Sequence, residues 1–114
     1  MQERLLVMNG YSIVQSVKDD EWINESVFKA DGLKAGVYNL FKALPANLID
    51  KHVGLIIYFD DNFLYQETET ALVKHDRERF FELPEIGKFR AISYGNDGNA
   101  IIDVISHSSS KLKR

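Results

Sequence analysis

The chain predicts a mainly β fold built around a small barrel, and three observations predict it. Extended apolar runs recur at short intervals from Val53 to Ile105. Asp60-Asp61-Asn62, Pro84, Gly87 and Gly95-Asn96-Asp97-Gly98 punctuate those runs. Ahead of them, Asn9-Gly10 separates two further β-branched runs. Short strands at this spacing argue for a sandwich or barrel.

A chain of 114 residues suits a single domain, with 45% apolar and 27% charged residues in the range of a folded core. Its net charge of −3 offers no global attraction for nucleic acid or anionic membrane. The absence of cysteine removes disulfides, thiolate metal sites and a cysteine nucleophile. The apolar run after Met1-Gln2-Glu3-Arg4 is too short for a signal-peptide core, and no stretch reaches the length of a membrane span. The expectation is a cytoplasmic, reduced protein.

Arg4 to Met8 and Tyr11 to Val17 flank Asn9-Gly10, a pair that tolerates positive φ at both centres of a type I′ turn. Alternation puts Tyr11, Ile13 and Val17 on one face and Ser12, Val14 and Ser16 on the other. Lys18 to Glu21 reads as a charged loop. Trp22-Ile23 and Val27-Phe28 read as an edge strand, with Trp22 a hydrophobic anchor. Val37 to Ala43 has strand character. Leu44-Pro45 forces an extended residue before the proline, and Ala46 to Lys51 is a short helical turn or a loop.

Val53 to Phe59 is apolar on both faces, with Val53, Leu55, Ile57 and Phe59 on one side and Ile56 and Tyr58 on the other. Such a strand is covered on both sides. The N-terminal hairpin is the expected cover. Asp60-Asp61-Asn62 is a hairpin turn, and Phe63 to Glu67, Ala71 to His75, Lys88 to Tyr94 and Ala100 to Ile105 are the next strands. Ala100, Ile102 and Val104 should face the core. Asp76 is placed to cap one helical turn, with Phe80, Phe81 and Leu83 packing back and Pro84 ending it. One helical turn at this point suits an SH3-like barrel.

The expected organisation is therefore one domain over 1–107. An N-terminal hairpin and strand extension occupies 1–52, the barrel 53–105, and a disordered basic tail 108–114.

Several short stretches occur in a characteristic order: Gly54 to Tyr58, Asp60-Asp61, Tyr65-Gln66, Val73-Lys74-His75-Asp76-Arg77, Pro84-Glu85-Ile86-Gly87 and Ile92-Ser93-Tyr94. In these the chain resembles the KfrB domain, a small module of plasmid and other mobile-element proteins, over about residues 53–105. The resemblance implies a role in plasmid maintenance or transfer and brings with it no established catalytic activity. Glu67-Thr68-Glu69-Thr70 departs from the pattern by lacking a glycine in the following turn.

The sharpest polar cluster is His75-Asp76-Arg77. A histidine beside a carboxylate can act as a general base, but neighbours on a strand point to opposite faces, so His75 and Asp76 need not meet. The structural reading ends a strand at His75, caps a turn with Asp76 and pairs Arg77 locally. Gln66 either meets a partner's backbone or satisfies backbone groups nearby. The expected partner or ligand contacts are Gln66, His75, Arg77 and Tyr94. No catalytic residue is assigned, and no cofactor is expected. His52, His75 and His107 show no metal-ligand spacing, and Asp60-Asp61-Asn62 lacks the pattern of a calcium loop.

The leading expectation is a non-enzymatic binding module of plasmid maintenance or conjugative transfer that contacts a protein of that machinery. An alternative is a nucleic-acid-binding accessory protein. It would use Arg77, Arg79, Lys88 and Arg90, interleaved with Phe80, Phe81, Phe89 and Tyr94, although Glu78, Glu82 and Glu85 dilute that charge. A third reading is a small hydrolase or an inhibitor of a host system. An exposed edge strand in the Val27–Phe41 region would support a homodimer or strand addition.

Overall fold

A computed structural model describes residues 2–104; the end of the strand expected over Ala100–Ile105 and the basic tail from Ser108 lie outside the described residues. The chain divides into two compact units, Met1–Ala43 and Leu44–Arg114.

The first unit is a four-stranded antiparallel sheet. Strands β1 (Glu3–Met8) and β2 (Tyr11–Lys18) form the predicted hairpin. Asn9 and Gly10 take φ of 53° and 81°, both positive as a type I′ turn requires. The Lys18–Glu21 segment is tighter than a loop: Asp19 and Asp20 also take positive φ, 53° and 66°, and turn β2 into β3 (Glu21–Lys29). Aspartate reaches this conformation more readily than most residues because its short side chain bonds the local backbone. β4 (Gly36–Tyr38) completes the order β3-β2-β1-β4. The strand expected over Val37–Ala43 stops at Tyr38. A 3-10 turn over Leu40–Lys42 replaces its second half, with the Lys42 amide donating to Asn39 O and the Ala43 amide to Leu40 O.

One face of this sheet is buried through Leu5, Val7, Ser12, Val14 and Ser16. The β2–β3 register skips Glu25, because Val14 faces Ser26 and Gln15 faces Asn24. A bulge on the edge strand results, and the Ser16 hydroxyl donates to Glu25 Oε2 across 2.5 Å.

The second unit is a six-stranded sheet. Its strands are β5 (Leu44–Pro45), β6 (His52–Phe59), β7 (Phe63–Thr68), β8 (Leu72–Asp76), β9 (Phe89–Tyr94) and β10 (Ala100–Val104). They lie in the order β10-β9-β6-β7-β8-β5. Neither this sheet nor the first closes on itself, so the fold is not an SH3-like barrel. Closure requires the two terminal strands to pair. Here β5 is two residues long, ends on a proline with no N–H to donate, and runs parallel to β8, while β10 pairs with β9 alone among the described strands. Strand chemistry and spacing were legible, but nothing in them distinguishes an open row from a closed one.

The core of this sheet is Ile56, Leu64 and Ile92, with Phe59, Phe80, Leu83, Ile86, Tyr94 and Ala100 packed around it. A bulge at Ile57 breaks the alternation expected of β6. Ile56 faces Gln66 and Tyr58 faces Tyr65, so Ile57 has no opposite residue. Phe59 is thereby shifted to the Ile56 side, and Ile56 and Ile57 are both fully buried. Asp60 closes the β6–β7 turn, its Oδ1 accepting from the amides of Asn62 and Phe63. The glycine-free turn after β7 is closed by Thr68, whose hydroxyl donates to Ala71 O at 2.8 Å. The Ala46–Lys51 segment is a loop organised by Asn47, whose Oδ1 accepts from the amides of Ile49 and Asp50. Asp76 precedes the expected turn (Arg77–Arg79) but makes no side-chain cap; its carboxylate lies 3.6 Å from Arg79 Nε instead. Phe80 and Leu83 pack back as expected, whereas Phe81 is 85% exposed. Of the β10 residues expected in the core, Ala100 and Ile102 are half-buried and Val104 is exposed.

Candidate functional site

Antiparallel pairing sets His75 of β8 opposite Leu64 of β7, with Gln66 two residues further along β7 on the same face. Such diagonal neighbours are within reach of long side chains. His75 Nε2 lies 2.9 Å from Gln66 Oε1, and His75 Nδ1 lies 2.5 Å from the Tyr94 hydroxyl at the end of β9. The Gln66 amide nitrogen donates to His52 O at 3.1 Å and to Arg90 O at 3.0 Å. One polar network thus ties β6, β7, β8 and β9 together.

The proton positions follow from these partners. Carbonyl oxygens only accept, so the Gln66 amide nitrogen faces His52 O and Arg90 O and its oxygen faces the imidazole. His75 Nε2 must then carry the proton, which leaves Nδ1 to accept from the Tyr94 hydroxyl. The neutral ring is the form that fits. Burial, and then the nearby His52, push the His75 pKa down to about 3. Burial also pushes Tyr94 up to about 12, with Arg79 opposing and Asp76 reinforcing, so the phenol keeps its proton. Rings close the surroundings: Phe80 and His52 meet the imidazole edge-to-face at 6.0 and 5.3 Å, and Tyr94 stacks at 5.9 Å.

Gln66 and His75 are 0% and 1% exposed, so neither presents a surface to a substrate. The network holds strands together with its polar atoms matched inside the protein. Asp76 takes no part in it, in keeping with the opposite faces of adjacent strand residues.

The other residues singled out in the sequence lie elsewhere. Arg77 donates to Asp60 O at 2.6 Å, sits 3.8 Å from Asp61 and covers the Phe59 ring. Arg79 donates to Gly98 O, and Arg90 donates to Phe89 O. Lys88 is exposed. Arg77 and Arg79 lie in the turn that follows β8, whereas Arg90 lies near the start of β9. Sequence reasoning missed the carbonyls of His52 and Arg90, because a main-chain acceptor leaves no residue-type signal. Among the described residues no group of His, Cys, Asp or Glu is placed to hold a metal ion, and no helix is long and apolar enough to cross a membrane.

The buried Gln–His–Tyr network over 52–94, and five of the six strands of its sheet, fall within the span of a known domain. The family model described as the KfrB Domain matches residues 51–104. The chain belongs to this KfrB-domain family, a class associated with plasmid and mobile-element proteins. Its similarity extends into the first unit: Protein TraB of Escherichia coli is 33% identical over 106 residues, covering 90% of this chain and 73% of that protein.

Proposed function

We propose that this protein is a non-enzymatic binding module of plasmid maintenance or conjugative transfer, acting in the cytoplasm on a protein of that machinery. The observation that carries the reading is the KfrB Domain match over 51–104, together with an alignment of 90% of the chain to Protein TraB at 33% identity. The geometry supports it from a second side. The cluster best suited to acid–base chemistry is turned inward, and its histidine is held neutral between two hydrogen bonds. The nucleic-acid alternative gains no support from its four cations, three of which donate to main-chain carbonyls.

The test is affinity capture from nuclease-treated lysates of cells with and without a conjugative plasmid, read by mass spectrometry. A plasmid-encoded protein recovered only from the first lysate is the expected result. Recovery of no protein partner, with salt-sensitive binding in a separate titration against purified nucleic acid, would overturn the reading in favour of the alternative.

A further inference from the structure

The buried side of the first sheet is set by Leu5, Val7, Ser12 and Val14, so the intervening residues form its other side. The pairing registers arrange that side in cross-strand rows. One row runs across all four strands as Val37, Leu6, Ile13 and Val27. The next is Met8, Tyr11 and Lys29. Val27 is 56% exposed, Val37 52%, Tyr11 50% and Met8 44%. An antiparallel sheet with one buried face ordinarily carries polar residues on the other. Here the second face is apolar at its centre as well, which is the mark of a surface that meets something.

Its charges say what it meets. The third row, Arg4, Gln15 and Asn24, is tied by hydrogen bonds from Arg4 Nε to Gln15 Oε1 and from Gln15 Nε2 to Asn24 Oδ1, each 2.8 Å. The Arg4 guanidinium is also held 3.9 Å above the Trp22 ring. Arg4 at one end and Lys29 at the other are the charged residues of these three rows, and neither forms an ion pair with a carboxylate of the described chain. In a protein of net charge −3 this face is locally cationic. Two rows and two strands separate the cations, a diagonal of about 16 Å, the reach of roughly five extended residues.

We propose that this face docks a partner protein through an acidic segment, with apolar side chains on the Leu6–Ile13–Val27 row and carboxylates at either end toward Arg4 and Lys29. The inference rests on the protein-binding reading above and names its surface and chemistry. A second copy of the chain would set like charges against each other. An anionic lipid surface would gain little from two fixed cations, since each contributes only about 1 kcal/mol.

The test is selection of a displayed library of random peptides, about fifteen residues long, on the intact protein. Selected peptides are then titrated against Val27→Asp/Val37→Asp, Lys29→Glu and, as a control in the second unit, Phe81→Asp. Circular dichroism confirms that each variant folds. The expected result is enrichment of peptides with Asp or Glu flanking an apolar centre. Their affinity should fall by about tenfold or more on the first two variants and stay unchanged on the third. Four outcomes would overturn the proposal: no enrichment, enrichment without acidic residues, binding indifferent to the variants, or self-association or phosphatidylglycerol-vesicle binding that the Val27→Asp/Val37→Asp variant abolishes. Repeating the lysate capture with that variant separates the two readings. A partner still captured removes this face and leaves the binding module standing; no partner captured by the wild type removes the binding module, while the peptide selection still judges the face.

Discussion

The two sheets of this protein differ in how fully they match the polar groups at their most buried positions. The second places Gln66 and His75 at its centre and satisfies them from four strands, with Tyr94 and the carbonyls of His52 and Arg90 completing the set. The first buries the Ser12 hydroxyl with no hydrogen-bond partner and leaves the opposite face apolar and exposed. A matched network specifies one strand arrangement, because any other register leaves its members unpaired. An unmatched hydroxyl specifies nothing and costs stability. The contrast teaches that Gln66 and His75, conspicuous in the sequence, serve the architecture of the second sheet, whereas the face proposed for docking is built mostly from apolar residues that no motif marks.

The largest effect should come from Gly54 of β6. A Cβ there would lie 2.1 Å from Glu67 O and 2.7 Å from Glu67 C, both main-chain atoms of β7 that cannot step aside. Gly54→Ala should cost about 3 kcal/mol or more in urea denaturation, and a loss below about 1 kcal/mol would show that β6 and β7 are not so closely set. The exposed Val37 of the first sheet should tolerate alanine within about 0.5 kcal/mol.

His75→Ala strands the Gln66 oxygen and the Tyr94 hydroxyl and opens a cavity, for an expected loss of about 3 kcal/mol. Its counterpart, Ser12→Ala, removes a buried hydroxyl that nothing satisfies, and should be neutral or stabilising by about 1 kcal/mol. Equal losses at the two sites would erase the distinction between the sheets.

Acid should weaken that distinction in a measurable way. The folded His75 pKa of about 3 lies below the ordinary 6.5, so the unfolded chain binds the proton more readily between those values. The histidine's contribution is therefore complete above pH 6.5 and falls by about 1.4 kcal/mol per unit as pH drops toward 3. The stability gap between wild type and His75→Ala should narrow by about 2 kcal/mol from pH 6.5 to pH 5; a constant gap would mean the ring is protonated in the folded state too. Within the network the smallest effect is Tyr94→Phe, which leaves the ring stacked and removes one hydrogen bond, for about 1 kcal/mol.

Much of this was legible in the residues, and what was not has definite causes. Asn9-Gly10 announced its hairpin, Asp60-Asp61-Asn62 its turn, and Gln66, His75 and Tyr94 each stood out. Their union was hidden, because it depends on the β7–β8 register and on β9 lying next to β6, which alternation within single strands does not encode. The bulge at Ile57 turned Phe59 to the other side of its strand for the same reason: an extra residue is invisible until the partner strand is known. The open edge was hidden as well: Pro45 was in plain sight, but that Leu44–Pro45 adds to β8 as an edge strand was not.

The most direct test of the inward-closed network is the pair of His75 imidazole nitrogen shifts, followed by NMR in labelled protein from pH 7.5 to 4.5. The account predicts one protonated nitrogen, Nε2, and one bare nitrogen, Nδ1, with both shifts constant across the range. Convergence of the two toward imidazolium values with a midpoint near 6.5 would contradict it, and would place His75 in contact with solvent and back among the candidates for chemistry.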